Sequence, residues 1–98
     1  MGAIGTAGSA SGGTPASRLD KASFTNEGGG QWTLDTEMGG GQILDETGSS
    51  RDPSMGFGGS VYSALAWDSN YDVILDQQLY YSLNAAKQAI KDAIKNTL

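Results

Sequence analysis

Residues 71–98 read YDVILDQQLYYSLNAAKQAIKDAIKNTL. This stretch holds neither glycine nor proline, whereas every other long stretch is interrupted by one or the other. On a helix at about 100° per residue, Leu75, Leu79, Leu83, Ala86, Ile90, Ala93 and Ile94 share an arc roughly 100° wide, which is the width of one buried face. Lys87, Lys91 and Lys95 recur beside that arc at intervals of four and form a basic ridge. Asp72 and Asp76 near the start and the lysines in the last turns both suit the helix dipole. Ser69, Asn70 or Asp72 is placed to cap the N-terminus. The spacing predicts a main helix over 72–98, about 40 Å long at ~1.5 Å per residue, with residues 82–84 as the one point where it would divide in two.

Leu79, Ala86 and Ala93 also fit heptad d positions, with Leu83 and Ile90 at a. Two heptads are too few for a coiled coil, but the alanines let a second backbone approach closely, so helix–helix self-association is one expectation. A lone helix buries too little apolar surface to offset its ordering cost of about 1–2 kcal/mol per residue. Phe57, Val61, Leu65 and Trp67 are enough to cover two or three turns. The turns around Ile90 and Ile94 are therefore expected to meet another chain. The expected partner-binding set is Leu75, Leu79, Leu83, Ala86, Ile90, Ala93 and Ile94, with Phe57 and Trp32 as further anchors. On this reading Ile90→Asp costs several kcal/mol, and Lys91→Asp, on a solvated ridge, costs under about 1 kcal/mol.

All 15 glycines lie at or before Gly59, and residues 60–98 have none. Glycine loses the most backbone entropy on ordering, and the first 59 residues hold few large apolar groups to offset that. The expected organisation is a glycine-rich extended arm over 1–59, largely disordered in isolation, followed by a helical docking segment over 60–98. The expected fold class is thus a mostly irregular N-terminal half plus an α-helical C-terminus, with no independent compact fold.

Residues 1–17, MGAIGTAGSASGGTPAS, read as a linker. MGAIGT matches the N-myristoylation pattern at Gly2 and Thr6, a short pattern that arises often in such sequence, and an unmodified arm is the expectation. Residues 18–24 read as a helical turn or short bridge with Leu19 and Phe24 as anchors. GGGQWTLDTE at 28–37 is then echoed by GGGQILDETG at 39–48. The expected structure is a short β-ribbon within 31–44, with strands at 31–34 and 42–44, the glycine triplets being turns or sites of close backbone approach. Such a ribbon is marginal alone in water. Residues 48–60 read as loop, and VYSALAW at 61–67 as two helical turns or a buried strand.

The chain has no cysteine and no histidine, which removes disulfides, thiolate chemistry and the commonest general base and metal ligand. Asp35, Glu37, Asp45 and Glu46 are hard oxygen ligands suited to calcium, but their spacing fits no calcium loop. No nucleophile elbow or phosphate loop occurs. No metal, no cofactor and no enzymatic activity are expected. Residues 20–76 hold ten acids and two bases, and residues 77–98 three lysines and one aspartate, within a net charge of −5. A general nucleic-acid binder is excluded by that balance. No run of 18 apolar residues and no signal-like N-terminus is present, so localisation is unassigned.

These features point to a non-enzymatic structural or assembly protein whose partners are other subunits of a larger assembly. Virion cement, tail or internal proteins are the analogy. The alternatives are a peripheral module whose helix lies on a membrane, which the lysines beside an apolar stripe permit, and a secreted matrix or adhesin fragment.

Overall fold

The computed structural model describes residues 14–48 and 59–98. The chain runs α1 (Pro15–Lys21), β1 (Thr25–Gly28), β2 (Gln31–Thr36), β3 (Gly39–Asp45), β4 (Tyr62–Asp68), β5 (Val73–Tyr80) and α2 (Leu83–Lys95). The five strands form one antiparallel sheet in chain order, and both helices pack on the same face of it. The expectation of an irregular, extended N-terminal half is therefore overturned. Residues 14–48 supply one helix and three strands, and β3 pairs with β4 across the whole of Gly39–Asp45. Composition misled because most of the apolar groups that offset glycine's entropy cost come from the other half of the chain, joining Leu19, Leu34 and Ile43.

The GGGQ repeat folds as a hairpin, with Gln31 opposite Leu44 and Thr36 opposite Gly39. Its two glycine triplets do different work. Gly28, Gly29 and Gly30 have φ of +85°, +63° and +80°, a left-handed run that turns the chain from β1 into β2. The second triplet lies inside β3, where a side chain has no room. A Cβ on Gly41 would sit 2.5 Å from Ile90 Cγ2 of α2, and one on Gly40 would sit 2.8 Å from the Trp67 indole on the opposite face.

Residues 73–80 are a strand rather than the first turns of a long helix. Two bulges explain the misreading. Ile74 is inserted between the Trp67–Val73 and Ala66–Leu75 pairs, and Asp76 and Gln77 together oppose Leu65. These insertions displace the strand's period of two. Leu75 and Leu79 thereby fall at a helical interval, yet Leu75 pairs with Ala66 and Leu79 with Ser63, on opposite faces. The true helix begins at the predicted division point. Ser82 is extended, with φ −146° and ψ 151°, and its Oγ accepts from Ala85 N at 3.0 Å.

From Leu83 onward the predicted stripe is real, and Ala86, Ile90 and Ile94 are fully buried. They pack on Leu34, Ile43, Ala64 and Ala66 of the sheet and on Leu19 of α1, with Leu83 and Ala93 at the margin. Gly41, Ala64 and Ala66 leave that part of the sheet nearly bare, so the helix seats close to it. The surface that the membrane-bound reading requires is thus spent inside the chain.

The basic ridge is not solvated either. Lys91 Nζ donates to the carbonyls of Asp20 at 2.9 Å and Ala22 at 2.7 Å, at the end of α1. Lys95 pairs with Asp20 at 2.5 Å, and Lys87 lies 5.8 Å from the Phe24 ring centroid. Arg18 of α1 pairs with Glu37 in the β2–β3 turn. Thr14 caps α1 by accepting from Ser17 N at 3.1 Å, and Pro15 opens it.

Candidate functional site

Alternation along β4 sorts the two sides of the sheet. Tyr62, Ala64 and Ala66 face the helices, and Ser63, Leu65 and Trp67 face the other way. The small Ala64 and Ala66 mark where α2 sits. Leu65 and Trp67 lie on a face that no described helix covers. Three rungs cross it: Leu44, Ser63 and Leu79; then Gln42 and Leu65; then Gly40, Trp67 and Val73. Ser63 is buried, Leu65, Trp67 and Leu79 are half-buried, and Leu44 and Val73 are 38% and 57% exposed. The Trp67 ring lies over Gly40, an aromatic filling the space a missing side chain leaves.

Val73 continues into the β4–β5 turn, which is built on Asp68. Its Oδ1 accepts from Asn70 N at 2.8 Å and Asp72 N at 3.1 Å, and its carbonyl accepts from Tyr71 N at 3.0 Å. Tyr71 is held there at φ 65° and is 80% exposed. A bulky side chain rarely takes that conformation. Toward β1 the same face becomes polar and acidic. Thr33 Oγ1 donates to Glu27 Oε2 at 2.5 Å, and Asp35 is exposed beside it.

The structure scatters the residues predicted from sequence. Ala86, Ile90 and Ile94 are core, Leu83 and Ala93 adjoin it, and Leu75 faces it from β5. Trp32 is on the helix side, where its ring meets Tyr62 edge-on at 5.9 Å. Phe57 lies outside the described residues. Of the described members of the set, Leu79 alone is placed on the uncovered face. Leu65 and Trp67, expected to cover the helix, face away from it, and Leu44, Tyr71 and Val73 were missed, although the large-small alternation of 64–67 was the signal that could have found two rungs of that face.

Among the described residues no concave pocket is present and no three acidic groups converge to hold a metal. Asp35 and Asp45 of the two repeats lie at opposite ends of their hairpin. Among the described residues no helix is long and apolar enough to cross a membrane. Comparison with protein families, with curated proteins and with solved structures finds no match.

Proposed function

We propose that the chain is a non-catalytic interaction module of a multi-subunit assembly, docking another protein against the uncovered face of its sheet. The observation that carries this reading is the run of exposed and half-exposed apolar side chains across β3, β4 and β5, with Val73 and Leu44 outermost. Contiguous apolar surface on a small domain marks an interaction site more often than scattered single residues do. Tyr71 adds to it. A strained, exposed aromatic at the rim of such a face has the properties of an interface anchor. Residues 14–48 of the arm behind the virion analogy fold into a helix and three strands of the sheet, and the proposal keeps only the assembly role.

Tagged wild-type chain, Val73→Lys and Leu44→Lys serve as baits in extract from the native source, with Gln88→Lys on the exposed side of α2 as control. Both face variants are expected to melt with the wild type and to lose the proteins that the wild type and the control retain. Retention by both face variants would sink the reading.

A further inference from the structure

We infer that the partner meets this face with a cationic amphipathic segment, an apolar ridge flanked by lysine or arginine. The inference rests on the docking reading above and adds the chemistry of the occupant. Its basis is the separation of charge between the two layers. The five described cations, Arg18, Lys21, Lys87, Lys91 and Lys95, all belong to the two helices. Among the described residues, the sheet and its turns carry eight acids and no base.

The helix-layer cations are also largely consumed. Arg18, Lys91 and Lys95 are bonded to Glu37, to backbone carbonyls and to Asp20, and Lys87 is stacked near Phe24. On the sheet side the position is reversed. Among the described residues Asp35, Asp72 and Asp76 have no side-chain hydrogen bond or ion pair. Asp35 stands on the uncovered face, Asp72 follows Tyr71 in the β4–β5 turn, and Asp76 lies on the edge strand β5. An apolar centre is thus bordered by unneutralised carboxylates.

Complementary potential across an interface sets which partner is accepted. A second copy of this chain would set one acidic border against another. An anionic membrane or a nucleic acid would be repelled in the same way. A cationic amphipathic segment satisfies both the apolar centre and its border.

Trp67 provides the readout, because its indole lies on the face itself. The full chain carrying Trp32→Phe, so that Trp67 emits alone, is titrated with two 18-residue synthetic peptides of identical amphipathic pattern. One is made of leucine and lysine, the other of leucine and glutamate. The expected result is a saturable blue shift with the lysine peptide and affinity about tenfold above that of the glutamate peptide. That preference should shrink as salt shortens the screening length from about 14 Å to about 4 Å.

Two variants of equal net charge locate the effect. Asp35→Asn with Asp72→Asn should cut the preference to about two- to threefold. Asn84→Lys with Gln88→Lys, on the helix side, should leave it nearly intact. Equal loss in both variants means attraction to net charge and overturns the inference. Equal blue shifts with the two peptides overturn the cationic partner while leaving the docking face standing. A blue shift that grows with protein concentration before any peptide is added makes the occupant a second copy and also overturns it. If neither peptide moves the emission, the docking face itself is rejected.

Discussion

At Gly41 a single hydrogen atom decides how near α2 approaches the sheet. Its would-be Cβ is 2.5 Å from Ile90 Cγ2 and 2.8 Å from the Leu65 carbonyl oxygen, and a backbone oxygen in a paired strand has little room to give. Gly41→Ala should destabilise the fold by about 1–3 kcal/mol through overpacking, read as a lower midpoint in urea. Gly48→Ala, in open space at φ +79°, should cost only about 1 kcal/mol of backbone strain. Tyr71 offers the opposite sign. Its side chain is mostly in solvent while its backbone is left-handed, so Tyr71→Gly should raise stability by about 0.5–1 kcal/mol and weaken partner binding at the same time. The triplet at 28–30 and the triplet at 39–41 are the same letters. No local rule distinguishes a turn from a seam, because the difference is made by Ile90 and Trp67, far away in sequence.

At the scale of elements, α1 is held chiefly by the lysines of α2. Lys91→Met removes the donor to two carbonyls at the α1 terminus. It should cost about 1–2 kcal/mol, below the range for a fully buried charged donor because one contact is exposed. Amide exchange at Leu19 and Ala22 should accelerate before that of the strands. Lys95 adds a pH dependence. Its hydrogen bond to Asp20 raises its pKa above the ordinary 10.5, against the lowering effect of burial, with the charges of Asp20 and Asp92 adding to the rise. A lysine whose pKa is higher folded than unfolded stabilises the fold fully below about 10.5 and loses that contribution as pH climbs through the raised value. Stability measured from pH 9 to pH 12 should therefore show a decrement in the wild type that Lys95→Gln lacks.

Helix α2 and its seating stripe were legible from Leu83 to Ile94, as was the ribbon at 31–44, since each rests on local pattern. Strand β5 was not, because its two bulges imitate helical spacing. The uncovered face was not, because Leu44, Leu65 and Val73 come from three strands that only the sheet brings side by side.

Across the whole molecule, the glycine boundary at Gly59 divides composition but not structure. Leu19, Leu34 and Ile43 from before it and Ala64, Ala66, Ala86, Ile90 and Ile94 from after it form one buried cluster. The halves should unfold together, in a single urea transition that is the same by tryptophan emission and by circular dichroism. Residues 31–45 should show amide protection comparable to 62–68, where disorder was the sequence expectation. Free exchange throughout 31–45 in the native chain would contradict the sheet. Ile90→Asp remains severely destabilising, by several kcal/mol, because it places a charge beneath the sheet.

Side-chain layers on a packed sheet usually hold their neighbours about 10 Å from the strand plane. Gly40 and Gly41 abolish that spacing on both sides at once, with the Trp67 indole resting on one and Ile90 on the next. The protein is at its thinnest there, one peptide unit separating its buried interior from the ring that an incoming partner would touch. Pressure on the outside has nowhere to dissipate before it reaches the helix. Shaving Ile90 to valine should therefore alter Trp67 emission through the sheet, and a partner seated on Trp67 should in turn slow amide exchange in α2, a helix it never contacts.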